Sequence, residues 1–539
     1  MKEIDPLREI PKDLQRLPWI QAIIQQLEQQ ARVMQEQSER IQVLEKTNQE
    51  LRDEINRLKK TPKRPKFRPS GSSRNRGGNS NNALNKGSCG DTEAPKKPVK
   101  VKEEVRIAAT GVPAGSRFKG YQSYTIQELE ITVKEITYQL EVWQAPDGTV
   151  IRATLPQGLE GSHFGPQLRS LMHNLYALGM TEPGLFDLSQ GCGIDISAAQ
   201  VHNLLVAEVD DYQKIAEEIL STGLAKAPYI RTDDTGAKHQ YKNGYCTHVG
   251  GEFFAYYKTT FSKSRDNFLK ILLQGKEGYW INHAMIWHLF QSGVDDDLLN
   301  SFEEHIGKKY CTPKGMRRLL NQLGIRDKKL HWLCLEAASV GFISETILKR
   351  DQVLLSDRAG QFAVFDHAGC WVHMERPLRK LTTATEEAEQ ELNQVREAIW
   401  RLYRKLQEAA MSQEGKEEVH KLYDQLVEMK SISPGINEVI ASFIKYRDEM
   451  LKALDHPSLP LHNNDSERDI RGMVKRRNIS GSTKSEAGKA FRDCLMTLKQ
   501  TCFRLGISFW SYLTSWFKRE PIDLAQVIED RYRGLSSVA

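Results

Sequence analysis

Cysteine is scarce and unpaired in this 539-residue sequence: there are eight, none in a Cys-x-x-Cys pair. That pattern excludes a disulfide framework and a ribbon- or finger-type zinc site. No run approaches the roughly 18 uncharged apolar residues of a membrane helix, and no opening segment reads as a signal peptide. A reducing, cytoplasmic setting without membrane attachment is therefore expected. Apolar residues make up only 39% of the chain, so part of its length is expected to be linker or exposed helix. The 76 basic and 70 acidic side chains nearly cancel, at +6, so the position of charge matters more than its sum. At about 150 residues per domain, the length implies three to four domains.

Glycine and proline are missing from Trp19 to Lys60. Over that stretch a heptad seam runs through Ile20, Leu27, Met34, Ile41, Asn48 and Ile55, with a second through Ile23, Gln30, Gln37, Leu44, Leu51 and Leu58. Isoleucine at the first position and leucine at the second favour a two-stranded parallel coil, with Asn48 fixing register. A dimerising coiled coil over 15–60 is expected. Acidic residues are missing from Arg57 to Gly90, where Lys63, Arg64, Lys66 and Arg68 are among ten cations ending at Lys86. Pro, Gly, Ser and Asn fill the gaps, so 61–103 reads as a flexible basic linker that neutralises DNA phosphates without reading sequence.

Residues 104–160 mix strand-like runs (Tyr138–Trp143, Thr149–Leu155) with the turn Pro146-Asp147-Gly148, and read as a small β-containing module. Residues 161–225 turn helical. Leu168, Leu171, Met172, Leu175 and Leu178 form one face, and Gly179 ends it. Leu185–Gln190, the turn Gly191–Gly193 and Ile196–Val206 then resemble a helix-turn-helix, whose second helix would enter a major groove; core packing is the competing reading.

Chemistry-bearing residues begin at Tyr229. Tyr229-Ile230-Arg231-Thr232 is a strand pattern ending in Asp233-Asp234, and Gln352–Ser356 is a buried-strand pattern ending in Asp357. Tyr245–Thr259 reads as a hairpin turning at Gly250-Gly251, and Ser264–Leu273 as a helix. Asn463-Asn464-Asp465-Ser466-Glu467-Arg468 opens a helix with Glu467 in its first turn. The cations Arg471, Lys475, Arg476, Arg477 and Lys484 follow it. Two strand-end aspartates and a helical glutamate among cations suit the joint binding of metal and phosphate. In-line phosphodiester chemistry uses two divalent cations about 3.5–4 Å apart, and carboxylate oxygens suit Mg²⁺ or Mn²⁺. Each acid taken alone is more often a helix cap or a surface residue than a catalytic group.

These motifs together resemble the insertion-sequence-66 transposases, within the acid-triad (DDE) group on a ribonuclease H-like fold. Thr232-Asp233-Asp234-Thr235 resembles the first-Asp motif, and Ser262–Phe268 the stretch after the hairpin. Asp357-Arg358-Ala359-Gly360 with Cys370-Trp371-Val372-His373 resembles the second. Leu461–Arg468 resembles the Glu motif, and Lys475–Ser482 the basic segment after it. The resemblance implies an α/β core in two parts, 226–373 and 458–516, split by a helical insertion at 374–457 and followed by a C-terminal tail at 517–539. It implies that Asp233, Asp357 and Glu467 ligate Mg²⁺ (or Mn²⁺), with Asp234 the register alternative to Asp233. It implies cleavage of DNA at element ends, transfer of the strand to target DNA, accessory element-encoded proteins as partners, and a nucleoid location. A metal-dependent nuclease without transfer, or a non-catalytic coiled-coil DNA-binding protein, would share many of these features. The family's Cys-rich zinc module has no counterpart from Ile107 to Leu178, which hold no cysteine, so no zinc is expected. Cys370 and His373 read as a packing pair or a phosphate neighbour. Lys276–Arg350 is long for its place, and its Asp295-Asp296-Asp297 reads as a capped surface helix.

Overall fold

The computed structural model describes residues 104–536, apart from 384 and 410–412. The coiled coil and the basic linker, with Lys63, Arg64, Lys66 and Arg68, lie outside the described residues. Two compact units result. One contains Glu375–Lys405 and Glu417–Ile444; the rest of the described chain forms the other.

The larger unit opens with a hairpin, β1 (Val142–Gln144) and β2 (Val150–Arg152), turning at Gly148. Both strands are exposed throughout. Four helices follow: α1 (Pro166–Leu178), α2 (Glu182–Gly191), α3 (Ala198–Val206) and α4 (Val209–Lys226). Gly179 ends α1 at φ 123°, a conformation that costs glycine little. Helices α2 and α3 do form a short hairpin, but no Lys or Arg occurs from Ser170 to Gln213. Its own residues offer phosphates no lysine or arginine, and Val201, Leu204 and Leu205 of α3 are committed to the core.

The central sheet comprises β3 (Tyr229–His239), β4 (Lys242–Gly250) and β5 (Ala255–Thr260), with β8 (Val353–Ser356) and β9 (Asp366–Gly369) arriving later in the chain. Its order is β5-β4-β3-β8-β9. The hairpin strands pair antiparallel, while β3, β8 and β9 run parallel. A strand covered on both faces needs a continuous apolar run, which Val353-Leu354-Leu355 supplies. This mixed sheet is compatible with a ribonuclease H-like core.

Alternation along the strands divides the side chains between two layers. Ile230, Val249, Tyr256 and Leu354 share a core with Leu220 and Leu224 of α4 and with Phe268 and Leu272 of α5 (Arg265–Leu273). Ala237, Cys246, Ala255 and Tyr257 instead meet Met473 and Met496. The C-terminal helices of this layer come after the second acid in the chain.

Residues 279–346 form a subdomain with its own core, centred on Met285, Phe302, Met316, Leu320 and Cys334. It holds β6 (Tyr279–Trp280), α6 (His283–Gln291), α7 (Asp296–Ser301), β7 (Lys309–Tyr310), α8 (Pro313–Gln322) and α9 (Lys328–Thr346). Asp295 caps α7 as the sequence suggests, accepting from the Asp297 N–H at 2.9 Å.

Helix α10 (Trp371–Lys380) leads toward the smaller unit, which is helical and holds most of α11 (Glu386–Ala409), α12 (Gln413–Glu428) and α13 (Pro434–Lys445). Leu392, Val395, Ile399, Leu402 and Leu406 on α11 are all buried. The chain then passes through α14 (Arg447–Leu451), α15 (Asn464–Ser480), α16 (Glu486–Leu505), α17 (Phe509–Phe517) and α18 (Leu524–Ser536). Helix α18 corrects the expectation of a tail: Leu524, Ile528 and Tyr532 are buried, and the Tyr532 hydroxyl accepts from the Glu252 N–H at 3.1 Å. Among the described helices none is long and apolar enough to cross a membrane.

Candidate active site

The two aspartates stand side by side because two parallel strands share a register. Arg231 pairs with Leu355, so two residues further on Asp233 comes beside Asp357, just past the end of β8. Residues two apart on a strand share a face. Asp233 therefore faces the layer that Arg231 and, across the ladder, His248 face. Asp234 faces the opposite layer, where its carboxylate accepts from Gln361 Nε2. Backbone amides orient both acids: Asp233 Oδ1 accepts from the Asp234 N–H at 2.8 Å, and Asp357 Oδ1 from the Ala359 N–H at 2.9 Å. The chain turns at Arg358, which has φ 69°. The Arg358 N–H donates to Ser356 Oγ, and its guanidinium lies 3.6 Å over the Tyr446 ring.

Glu467 is brought in by the start of α15. Asn463, fully buried, donates from Nδ2 to the Thr232 carbonyl at 2.8 Å and from its backbone N–H to Cys370 Sγ at 3.2 Å. The Trp371 N–H donates to the Leu461 carbonyl at 3.0 Å. Asp465 forms an ion pair with Arg231, which is 1% exposed and also donates to the Gly251 carbonyl. These ties fix the first turn of α15 against β3. One turn on, Asp469 accepts from Arg504 and Gln500, and its carboxylate stands 3.1 Å from His248 Nε2. Burial works against the Asp469 carboxylate, but Arg504 and His248 outweigh it and hold the group down at about 2.

The acids also act on one another electrostatically. The Asp233 carboxyl is pushed up to about 7, first by burial and next by the charge of Asp357, with Asp234 and Glu467 adding to the rise. Like charges that disfavour each other's ionisation are charges that a cation would relieve. Burial also raises Asp234, opposed by Lys263 and the Gln361 bond. His373 Nε2 stands 3.4 Å from Glu467 Oε1. Its motif partner Cys370 is buried, and its thiol is pushed up to about 11 by that burial. It serves the Asn463 amide. Among the described residues no three His, Cys, Asp or Glu side chains sit close enough to hold a metal ion as they stand. Hard carboxylate oxygens fit Mg²⁺ or Mn²⁺, and the gathered acids would need to draw inward to share one.

The cations grouped after Glu467 separate in space. Arg471, Lys475 and Lys484 are exposed. Arg476 is a correction to that group. It is 4% exposed, donates to the Met180 carbonyl at 3.0 Å and lies 3.6 Å over the Tyr176 ring. At helical spacing it falls on the packed face of α15. Arg477 is part-buried and donates to the Gly236 carbonyl, steadying the outer half of β3. Sequence reasoning passed over Arg231 and Asn463. A lone arginine in an apolar strand was the available signal, since a buried guanidinium requires a carboxylate. A cavity of about 990 Å³ lies at the other ends of β8 and β9, beside Gln352 and Asp366 and away from Asp357.

Two comparisons bear on this arrangement. A family model described as "Transposase IS66 family" matches residues 353–490, a window that contains Asp357 and Glu467. A protein of Sinorhizobium fredii (strain NBRC 101917 / NGR234), named only as uncharacterized protein y4jO, is 36% identical over 299 residues. The match spans 55% of this chain and 93% of that relative.

Proposed function

The chain belongs to the IS66 transposase family, and from that premise we propose that it cuts DNA at the ends of an insertion element and joins the freed strand to target DNA. The observation that carries this reading is the in-register placement of Asp233 beside Asp357, with Glu467 near enough to raise the Asp233 carboxyl. Asp233, Asp357 and Glu467 would hold Mg²⁺ or Mn²⁺. Such ions, when bound, stabilise the attacking and leaving oxygens of an in-line displacement. In the first step water oxygen bonds to phosphorus, the bond to the 3′-oxygen breaks, and that oxygen leaves as a 3′-hydroxyl. In the second that hydroxyl attacks a target phosphodiester, so one phosphorus–oxygen bond forms as one breaks.

The protein's own side chains do the positioning. The Asp234 and Ala359 amides hold one oxygen of Asp233 and of Asp357, leaving the other free to face an ion. His373 steadies Glu467. Exposed Arg471, Lys475 and Lys484, on and just after the same helix, supply charge for the phosphates on either side of the cut. Nicking of plasmid DNA in Mg²⁺ or Mn²⁺ tests the assignment. Asp357→Asn should lose at least ~100-fold in rate while retaining DNA binding. Nicking that persists in this variant would remove Asp357 from the chemistry. Products joined to target DNA, not merely cut, separate a transposase from a nuclease.

A further inference from the structure

The insertion at 279–346 carries a concentration of positive charge that the catalytic residues do not use. Between Lys308 and Trp332 stand Lys308, Lys309, Lys314, Arg317, Arg318, Arg326, Lys328 and Lys329, with Asp327 the one acid. Eight minus one gives +7 on this stretch, against +6 for the whole chain. All eight cations are exposed. Among the described residues, no carboxylate ion pair joins any of these eight.

The fold shows why they face outward together. On α8, Met316, Leu319 and Leu320 are buried in the subdomain core, which turns Arg317 and Arg318 to solvent. Gly324, at φ 77°, reverses the chain, and Asp327 caps α9 by accepting from the Leu330 N–H at 2.8 Å. His331 Nε2 meets the Ile325 carbonyl at 2.7 Å and braces the turn. In α9, Cys334, Leu335, Ala337 and Ala338 are buried, so Lys328, Lys329 and Trp332 occupy the outer face of its first turns. The result is two helices joined by a short glycine-containing turn. A cleft of about 280 Å³ between them is lined by Arg317, Arg326, Lys328, His331 and Trp332. Trp332 is 63% exposed, with the Arg317 guanidinium 5.5 Å over its ring. The acidic run Asp295-Asp296-Asp297 belongs to a different turn, at the start of α7.

We propose that the α8–α9 face is a second DNA-binding surface, which holds the phosphate backbone of a duplex segment apart from the strand at the carboxylates. Exposed cations without carboxylate partners are a liability for a folded subdomain unless an anion neutralises them. Densely spaced phosphates do so and release counterions. This use of the insertion rests on the reading of the chain as a DNA-processing protein. It assigns the helical hairpin of α8 and α9, not the cation-free α2–α3 pair, to duplex contact.

The test is salt-dependent binding of the full chain to a duplex of about 30 base pairs, read by fluorescence anisotropy. Arg317→Gln/Arg318→Gln/Lys328→Gln/Lys329→Gln should weaken binding about tenfold or more near physiological salt. It should flatten the slope of log affinity against log salt by up to about 3.6, at about 0.9 per lost contact. Arg317→Lys/Arg318→Lys keeps the charge and should keep the slope, which separates lost phosphate contacts from a damaged fold. An unchanged slope in the four-residue variant overturns the proposal, including the case in which this surface serves an acidic protein. Loss of slope in both variants also overturns it, because charge alone would then not explain binding. Metal-dependent nicking by the unsubstituted chain reads the catalytic assignment separately. Nicking with an unchanged slope would sink only this surface, whereas a flattened slope without nicking would sink only the catalytic reading.

Discussion

Asp233 is the residue at which burial and the repulsion of neighbouring acids meet at the proposed metal site, and its titration gives a prediction with a definite sign. Its folded-state carboxyl sits at about 7 against an ordinary 3.8. The folded chain therefore binds this proton more tightly than the unfolded chain does. Stability contributed by the protonated form is full below pH 4 and is lost as pH rises toward 7. Without divalent ions, the melting temperature should fall between pH 5 and pH 8. Asp233→Asn should remove most of that fall, and at pH 8 it should exceed the unsubstituted chain by on the order of 2 kcal/mol. Mg²⁺ should raise the melting temperature of the unsubstituted chain alone. Parallel pH curves for the two proteins would show that Asp233 does not bear the repulsion.

Asp469 titrates the other way. Its carboxyl is held at about 2 by Arg504 and His248, so its contribution persists above pH 4 and is lost as pH falls through 2. Asp469→Ala leaves Arg504 buried without its carboxylate. It should cost about 3–5 kcal/mol in denaturant unfolding, and a loss below about 1 kcal/mol would mean that Gln500 or water takes over. Neither titration was legible in the sequence. The two strand-end acids and the helical Glu were visible as types in order, but their mutual distance depends on the β3–β8 register, which no local pattern states. The partner of Arg231 was hidden for the same reason, because Asp465 lies 234 residues away.

Elements with strong local signals were readable. Strand β8 announces itself as Val353-Leu354-Leu355, the β4–β5 hairpin by Gly250-Gly251, and α5 by its Ser264 cap, which accepts from the Asn267 N–H at 3.3 Å. The buried face of α11 follows from helical spacing. Helix α18 escaped because its apolar positions, Leu524, Ile528 and Tyr532, come after the last motif and invite no function. Their burial makes α18 part of the core. Ile528→Ala should cost about 2–5 kcal/mol, measured by chemical unfolding. A cost near zero would mean that α18 docks loosely. Residues 104–160 read as a small β-containing module, and the structure gives them the hairpin β1–β2, with Tyr138, Leu140, Val142 and Trp143 exposed. Pattern predicts a strand; a core needs a second layer, and none of the described elements supplies it there.

Across the whole molecule, charge is segregated although its sum is small. Ten cations lie between Arg57 and Lys86, eight between Lys308 and Lys329, and Arg471, Lys475 and Lys484 lie on and just after the proposed catalytic helix. A protein that only cuts DNA needs the last group. One that also joins strands must keep hold of several duplex segments through two reactions, and distributed non-specific charge suits that task. The contributions are separable because they differ in kind. Lys63→Gln/Arg64→Gln/Lys66→Gln/Arg68→Gln removes charge from a Pro-, Gly- and Ser-rich stretch that reads as a tether. It should lower the salt slope by up to about 3.6 and slow capture of DNA, yet leave the single-turnover cleavage rate at saturating DNA unchanged. A tether raises local concentration and does not shape the transition state. Should the saturating cleavage rate fall as well, the basic stretch would be acting at the cut itself, and the division of labour between holding and cutting would have to be redrawn.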